Sequence, residues 1–495
     1  MGIPQNDRHS NNLRSSLHSA IPSGILNGTG VFPPLADEGS PTIGFAAHFV
    51  YEGAFALKRI LLFFLLTISL CFSHIAAQSQ TYKVLYNFGS SPNDGLSPIT
   101  NLVADSAGNL YGSANAGGIP GACYGGGCGT IFEISPDGYG GWSEKTLYYF
   151  CQGGSGFNCP DGGNPNSLAI DKAGNLFGTT TTGGNLVQNG VCNGCGVAFE
   201  LSPPSQPGEN WIYTLLYTFC KASDADCADG AVPEGPLTID AAGNLYGTAF
   251  YGGNRLFDAG VAFALSSASG EWNERVIYDF CSVLVGVNCE DGEGPLWGMT
   301  FNAAGDLYGT TVAGGADKLT GGAVFKLTSS AKAWTEKVLV AFPIVRANNV
   351  LLSAQPGVVS FDPDGNFYTT LLYGGNFQSF YDGSGAVVRV TRSGQKSSFL
   401  FDGADGGNPA YGVIVDARRK AVFGVSGLDG FSHGNLFEIS AGGKETVLYN
   451  FCQQSGCSDG DGPSGALYED NLGNFYGVTQ GGGANLDGVV FELTP

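Results

Sequence analysis

The chain has 495 residues, of which 43% are hydrophobic, 12% aromatic and 13% charged. This aromatic content excludes a disordered chain, and the 79 glycines follow no Gly-X-Y period, which excludes collagen. The net charge of -21, from 22 basic and 43 acidic residues, argues against nucleic acid and anionic membranes as partners.

The N-terminal region has the pattern of an export signal. Lys58 and Arg59 precede an apolar run, 60–72, and small residues follow up to Ala77. Charged, apolar and cleavage regions occur in this order in signal peptides. The apolar run is too short to span a bilayer comfortably, so we expect cleavage near Ala77, with an uncleaved anchor as the alternative.

This signal divides the chain into three parts. Residues 1–56 are interpreted as a poorly ordered leader from an over-extended start site, because signal peptides usually begin close to their basic residues. Residues 57–77 are the predicted signal peptide, and residues 78–495 the exported domain. We therefore predict a secreted or extracytoplasmic protein without stable membrane insertion.

Three motifs recur seven times each, in fixed order and roughly 60 residues apart, between Tyr82 and Pro495. The first resembles Gly-Asn-Leu-Tyr-Gly and ends at Gly112, Gly178, Gly247, Gly309, Thr369, Gly424 and Gly477. The second is Gly-x-x-Phe and ends at Phe132, Phe199, Phe263, Phe325, Val388, Phe437 and Phe491. The third resembles Val-Leu-Tyr-x-Phe and ends at Phe88, Phe150, Phe219, Phe280, Phe342, Phe401 and Phe451.

Each repeated unit has the composition and alternation of four short strands. In the second unit we place them at 167–170, 175–180, 197–201 and 211–219. Seven such units call for radial repetition, in which each small sheet buries its faces against its neighbours. The sequence therefore predicts an all-β fold, a seven-bladed β-propeller of four-stranded blades.

The strand count also predicts how the ring closes. The chain ends at Pro495, just after the third strand of the last unit, whereas an unpaired strand of the fourth type, 82–88, precedes the first unit. We expect this N-terminal strand to complete the last blade, because the pairing removes two exposed sheet edges.

The cysteines agree with export. Of the 13 cysteines, Cys71 leaves with the signal peptide, and an even number remains. In an oxidising compartment these predict six disulfides. Pairing between neighbours gives Cys123–Cys128, Cys151–Cys159, Cys192–Cys195, Cys220–Cys227, Cys281–Cys289 and Cys452–Cys457. A four-thiolate zinc site from Cys123, Cys128, Cys192 and Cys195 is the alternative.

Six of the seven loops between units share the pattern Asp-Gly-x-x-Pro, the loop before Pro356 being the exception, and these loops lie on the predicted interaction face. The carboxylates of this pattern are Asp94, Asp161, Asp229, Asp291, Asp405 and Asp459. Repetition around a ring would bring them near the central opening, where they could contact a ligand or take calcium. The alternative is a turn cap that repeats because the blade repeats. No other cofactor is predicted.

Pairs of carboxylates are the only candidate catalytic groups that occur in number in the sequence. Asp291 with Glu293, or Asp229 with Glu234, could act as acid and base on a glycoside. These acids follow the repeat, whereas an active site usually breaks it, so no catalytic residue is predicted. We expect a binding or surface-interaction module for an unknown ligand, either carbohydrate or protein at the cell surface. A carbohydrate-active hydrolase or lyase is the alternative.

The extended motifs carry a family resemblance. Gly-Asn-Leu-Phe-Gly-Thr-Thr at 174–180, Gly-Gly-Asn at 183–185 and Gly-Val-Ala-Phe-Glu-Leu at 196–201 resemble the Gloeo/Verruco repeat of choice-of-anchor tandem repeat GloVer-containing proteins. The resemblance covers 82–495 and implies an exported bacterial repeat protein, without catalytic residues to carry over. The fifth unit departs from it at Thr369 and Val388, and the sixth at 418–420, where Arg-Arg-Lys replaces the usual turn.

Overall fold

The computed structural model describes most of the chain from residue 80 to residue 495. The ranges not described within it are 124–125, 155–157, 185–193, 207, 222–226, 254–257, 269, 317–319, 332, 348–349, 353, 375–384, 402–406 and 428–432. The predicted leader and signal peptide, together with Cys192 and Asp405, therefore lie outside the described residues. All described residues belong to the unit Gln78–Pro495. Within them, no helix has the length and apolar character needed to cross a membrane.

Short strands form the regular structure, apart from one 3-10 turn at Ser455–Cys457. In chain order they are β1 (Thr81–Asn87), β2 (Gly95–Pro98), β3 (Val103–Ala104), β4 (Leu110–Gly117), β5 (Thr130–Pro136), β6 (Trp142–Tyr149), β7 (Gly163–Pro165), β8 (Ala169–Ile170), β9 (Leu176–Thr182), β10 (Val197–Ser202), β11 (Ile212–Thr218), β12 (Ala231–Pro233), β13 (Thr238–Ile239), β14 (Leu245–Tyr251), β15 (Val261–Ala268), β16 (Glu271–Asp279), β17 (Leu284–Val285), β18 (Asn288–Cys289), β19 (Glu293–Phe301), β20 (Leu307–Ala313), β21 (Thr320–Ser329), β22 (Trp334–Pro343), β23 (Val345–Ala347), β24 (Val350–Leu352), β25 (Ser360–Phe361), β26 (Phe367–Leu371), β27 (Ala386–Val390), β28 (Lys396–Leu400), β29 (Val413–Asp416), β30 (Ala421–Ser426), β31 (Asn435–Ser440), β32 (Glu445–Asn450), β33 (Asp461–Glu469), β34 (Phe475–Gly481) and β35 (Val489–Thr494).

These strands form seven antiparallel blades, which confirms the predicted propeller. The blades are β2–β6, β7–β11, β12–β16, β19–β22, β25–β28, β29–β32, and β33–β35 with β1, numbered 1 to 7 in this order. In blades 1 to 3 the first, innermost strand is split into two short pieces. Two further hairpins, β17–β18 and β23–β24, lie in the loops that lead into blades 4 and 5.

The N-terminal strand closes the ring as predicted. β1 pairs with β35 in antiparallel register, with Thr81 opposite Thr494 and Asn87 opposite Val489. The chain then leads into blade 1, where the Phe88 ring meets the Phe132 ring edge to face at 5.0 Å between centroids. The first strand therefore completes blade 7 and also supplies a core residue to the contact with blade 1.

The first two sequence motifs are partners across the second and third strands of each blade. The cross-strand pairs are Gly112 with Phe132, Gly178 with Phe199, Gly247 with Phe263, Gly309 with Phe325, Thr369 with Val388, Gly424 with Phe437, and Gly477 with Phe491. A Cβ atom on any of the six glycines would lie 2.4–2.7 Å from the Cζ atom of its phenylalanine. Glycine is therefore required wherever the ring is present, and the one blade with Thr369 has the smaller Val388 opposite it.

The glycine that begins the second motif, Gly-x-x-Phe, makes a contact with the next blade. It adopts a φ of 83–106° in all seven units. A Cβ atom there would lie 2.4–3.0 Å from the Cδ atom of the proline that ends the Asp-Gly-x-x-Pro loop, or its counterpart Pro356, in the next blade. These contacts join Gly129 to Pro165, Gly196 to Pro233, Gly260 to Pro295, Gly322 to Pro356, Gly385 to Pro409, Gly434 to Pro463, and Gly488 to Pro98. The repeated Gly and Pro thus fix the spacing of the ring.

Five of the six predicted disulfides are present. They join Cys123 to Cys128, Cys151 to Cys159, Cys220 to Cys227, Cys281 to Cys289, and Cys452 to Cys457. The sixth, Cys192–Cys195, involves a residue outside the described part of the chain. Several disulfides in one domain indicate an oxidising compartment. Each closes a short loop, so the disulfides stiffen the loops rather than link distant parts of the fold.

Candidate functional site

The predicted loop aspartates receive hydrogen bonds from tyrosines of the third motif. The tyrosine hydroxyl donates to the aspartate Oδ2 atom at 2.7–2.8 Å in five junctions: Tyr86 to Asp94, Tyr148 to Asp161, Tyr217 to Asp229, Tyr278 to Asp291, and Tyr449 to Asp459. Backbone N–H groups of the same loops also donate to these carboxylates, as Ser282 does to Asp291 at 2.9 Å. Each described aspartate therefore caps its own loop, and Asp405 lies outside the described residues.

Each of these bonds ties a loop aspartate to the outermost strand of the preceding blade. The tyrosines belong to the fourth, outermost strand of each blade. In three junctions the second carboxylate oxygen is buried and has no hydrogen-bond partner among the described residues: Oδ1 of Asp94, Asp161 and Asp291. In these three carboxylates one oxygen atom accepts hydrogen bonds and the other accepts none from the described residues.

At three of these junctions, a glutamate on the outermost strand of the next blade lies near the aspartate. Glu144 lies near Asp94, Glu274 near Asp229, and Glu336 near Asp291. Burial, and then the nearby aspartate charge, raise the pKa of Glu144 to about 7 and the pKa of Glu336 to about 8. The pKa of Glu274 is raised to about 7 by the same two causes. The glutamates therefore hold their protons more strongly in the folded protein than in the unfolded chain.

The raised pKa values of these glutamates predict that the free energy of unfolding falls as the pH rises. The pKa of Glu336 rises from the ordinary 4.5 to about 8 on folding, so the native state binds more protons within this window. We expect Glu336→Gln to change stability little at pH 4, where the carboxyl group is mostly protonated in both states, and to raise it by about 1–2 kcal/mol at pH 8, after discounting for solvent screening. Urea unfolding at both pH values measures this, with exposed Glu271→Gln as the control. Equal stabilisation at both pH values would contradict the assignment.

The central channel contains a cavity of about 390 Å³. It is bounded by the innermost strands of blades 1 to 6 and by two residues of second strands. The lining residues are Ile99, Thr100, Asn101, Asn115, Asn164, Asn166, Ser167, Thr181, Glu234, Pro236, Leu296, Trp297, Val358 and Tyr411. Its volume falls within the range of small-molecule sites, so we take it as the candidate functional site.

Hydrogen bonds to threonines and to backbone carbonyls hold the side-chain amides on one side of this cavity. Asn166 donates from Nδ2 to the Thr179 hydroxyl at 3.1 Å and to the Pro233 carbonyl at 2.6 Å, and its Oδ1 atom accepts from Thr181 at 3.2 Å. Asn164 donates to the Asn115 carbonyl at 3.0 Å. These contacts fix the orientation of the amides. Both Asn166 N–H groups are used within the protein, so Asn166 offers a ligand hydroxyl its side-chain carbonyl oxygen.

Two aromatic rings and one carboxylate complete the cavity. The Trp297 and Tyr411 rings meet edge to face at 5.5 Å between centroids, and the Trp297 Nε1 atom is buried without an acceptor among the described residues. Burial raises the pKa of Tyr411 to about 12 and also raises the pKa of Glu234. The cavity therefore offers an indole donor, a phenol and one partly desolvated carboxyl group.

The predicted acid–base pairs do not come together at this cavity. Glu234 lines it, but its predicted partner Asp229 is bound to Tyr217 and to the backbone of Lys221 at the outer strand. Asp291 and Glu293 are not among the lining residues. Of the described residues around the cavity, Glu234 is the one carboxylate.

Sequence reasoning missed Trp297, Tyr411 and the asparagines, although a signal was present. Asn166, Trp297 and Tyr411 lie one or two positions after the prolines that recur once per blade, and the residues at these positions change from blade to blade. The two positions after each proline read Ile-Thr, Asn-Ser, Glu-Gly, Leu-Trp, Gly-Val, Ala-Tyr and Ser-Gly. Variation confined to these columns of an otherwise regular repeat indicates residues freed from the packing that the repeat requires.

Comparisons with known proteins identify the repeat. The family model of the Gloeobacter/Verrucomicrobia repeat matches residues 71–302 and 301–495. No curated protein matches the chain. Among solved structures, a putative 6-phosphogluconolactonase from Bacteroides uniformis is similar, with 14% identity, a TM-score of 0.43, and coverage of 74% of this chain and 94% of that chain. A polysaccharide lyase described as an ulvan lyase has 12% identity, a TM-score of 0.44, and coverage of 80% and 93%.

Proposed function

This chain belongs to the Gloeobacter/Verrucomicrobia repeat family, and we propose that it is a binding module whose ligand occupies the central cavity. The observation that carries the proposal is the convergence of Trp297, Tyr411 and the amides of Asn164 and Asn166 on one cavity. None of these residue types is required by the repeat at its position. Such a site combines an apolar surface with a few fixed polar groups, as binding pockets do.

The chemistry of the lining favours a neutral saccharide as ligand. Amide and threonine groups provide both donors and acceptors, as the hydroxyl groups of a sugar require. The Trp297 Nε1 donor needs an acceptor, which a sugar oxygen would supply. Glu234 contributes a carboxyl group to this cavity and no Lys or Arg is among its described lining residues, so an anionic ligand is disfavoured there.

The distribution of acids supports binding over glycoside hydrolysis. Hydrolysis by either common mechanism uses two carboxyl groups, roughly 5–10 Å apart, on either side of the scissile bond. Glu234 has no second carboxylate among the described residues that line the cavity. We further propose that the module acts outside the cytoplasm, which the five disulfides support.

A glycan array followed by calorimetry on the mature chain tests the binding function. We expect reproducible binding of a neutral saccharide, lost in Trp297→Ala and weakened about tenfold in Glu234→Gln if Glu234 accepts a ligand hydroxyl. Tyr139→Ala, which changes an aromatic ring that is 97% exposed, is the control. An array without hits, or a Trp297→Ala variant with unchanged affinity, would remove the central cavity as the saccharide site.

Calcium at the loop aspartates is a second candidate. The buried, unpartnered Oδ1 atoms of Asp94, Asp161 and Asp291 are oxygen atoms of the kind that calcium prefers. Millimolar calcium should then raise the melting temperature of chelator-treated protein, and Asp291→Asn should reduce that rise. Asp137→Asn, which alters an exposed turn cap, is the matched control. A melting temperature that does not respond to calcium rules out the metal.

A further inference from the structure

An aromatic ring of the first motif is covered by the next blade at most junctions of the propeller. In four junctions the cover is a tryptophan at the start of the outermost strand, with ring centroids 5.8–6.2 Å apart and interplanar angles of 59–63°. These pairs are Trp211 on Tyr111, Trp272 on Phe177, Trp334 on Tyr246, and Trp142 on Tyr476. The near-identical geometry defines where an indole ring sits between two blades.

Two further junctions lack the tryptophan but have another ring against the first-motif ring. Phe361 packs on Tyr308 at 4.9 Å between centroids. Phe475 packs on Phe423 at 4.5 Å, and the Arg419 guanidinium lies within 5.5 Å of both rings. The Arg-Arg-Lys departure in the sixth unit therefore adds a cation to the ring contact at this junction.

The junction between blades 5 and 6 is different. Its first-motif ring is Tyr368, and the tryptophan position of blade 6 holds Gly443. Among the described residues no aromatic ring pairs with Tyr368, and a cavity of about 460 Å³ lies against it. The cavity therefore lies at a junction where neither a tryptophan nor another ring packs on the first-motif ring among the described residues.

The lining of this cavity combines an apolar floor with one unpaired donor. Tyr368, Phe399, Val422 and Ile439 contribute ring and aliphatic surface. The Arg389 guanidinium lies 5.9 Å from the Tyr368 ring centroid, and its Nη2 atom lies 3.9 Å from the Asp362 Oδ2 atom. Its buried Nε atom has no hydrogen-bond partner among the described residues.

The acidic residues at the cavity already have donors of their own or lie at its rim. Asp362 accepts from the backbone and side-chain nitrogens of Asn366 at 2.9 and 2.7 Å, and Asp416 accepts from Arg419 at 3.1 Å. Asp364 is exposed at the rim. The buried polar atom left to a ligand is thus the Arg389 Nε–H, which calls for an acceptor.

We propose that the cavity between blades 5 and 6 binds a planar aromatic carboxylate. Its ring packs against Tyr368, and its carboxylate accepts the Arg389 Nε–H in a charge-assisted hydrogen bond. A ring of indole size fits the cavity volume and the apolar floor.

Calorimetry on the mature chain with indole-3-acetate and with indole tests this site. We expect saturable binding of both probes, with indole-3-acetate about tenfold tighter than indole. Arg389→Met should abolish that difference and leave indole affinity unchanged. Ala441→Trp, at the rim, should block both probes, whereas Trp297→Ala in the central cavity should affect neither. Absence of saturable indole-3-acetate binding, or binding that persists in Ala441→Trp, would overturn the proposal.

The chain offers a matched control in its own repeat. Trp334→Gly opens the equivalent position beside Tyr246, where Ala264 stands in the register position that Arg389 has opposite Tyr368. This variant should bind a second equivalent of indole without preference for the carboxylate. If Trp334→Gly fails to fold, the comparison of Arg389→Met with the wild type still decides the role of the arginine.

Discussion

Deletion of residues 81–88 prevents cooperative folding of the propeller. The segment contributes the buried side chains of Leu85 and Phe88, each worth about 1.5–3 kcal/mol, and a full antiparallel pairing with β35. It also places Tyr82 against Tyr449 of blade 6, with stacked rings 3.8 Å apart. These losses together are comparable to the whole stability of a domain, about 5–15 kcal/mol. The exposed edge of β35 would in addition promote aggregation.

A circular permutant tests whether folding requires the pairing of this segment with β35, wherever the segment stands in the chain. Thr81 lies opposite Thr494, so an Asn-Gly turn can join Pro495 to a copy of 81–88 in a chain that begins at Gly89. We expect this permutant to regain a cooperative thermal transition that the deletion variant lacks. A deletion variant that still melts like the full chain would show that β1 does not hold the ring closed.

Gly309→Ala destabilises the propeller far more than an ordinary Gly-to-Ala change. The new Cβ atom would lie 2.4 Å from the Phe325 Cζ atom in a fully buried core, and overpacking of this kind costs about 2–3 kcal/mol. Gly126→Ala is the control, because no atom lies within 4 Å of its Cβ position and its φ is not positive. Urea unfolding monitored by fluorescence gives both values. Equal effects of the two substitutions would contradict the steric account.

The Thr369–Val388 pair of blade 5 suggests a double variant that tests whether positions 309 and 325 are energetically coupled. Gly309→Thr with Phe325→Val recreates the Thr369–Val388 pair of blade 5. We expect the double variant to be at least about 1 kcal/mol more stable than the sum of the single changes predicts, since the smaller side chain makes room for the new one. Rescue should be partial, because β21 and β22 have a register shift at Phe325 that the corresponding pair of blade 5 lacks.

The propeller itself could be predicted because its determinants are local and repeated. Blade number followed from counting motifs such as Gly-x-x-Phe, and closure followed from one unpaired strand at 82–88. Neighbouring cysteines pair because each pair lies within one short loop, as Cys281 and Cys289 do. None of these predictions required knowledge of distances between remote residues.

The site was harder to predict because it depends on contacts between units. The regular aspartates suggested the functional hypothesis, and the structure adds that Asp291 caps its loop by accepting a hydrogen bond from Tyr278. The residues that meet in the channel, such as Asn166, Trp297 and Tyr411, come from three different blades, and the positions they occupy after the repeated prolines hold different residues in each blade. Their convergence arises from the circular arrangement, which no single unit encodes.

The amino-acid sequence alone thus determined the fold class, the number of blades, the ring closure and most disulfide partners, since each depends on a repeated local pattern. Only the tertiary structure decided which side chains share a cavity. Closing a ring turns equivalent positions inward, and there the residues that differ between blades face one another. It also left one junction, at Tyr368, without the ring that its neighbours have.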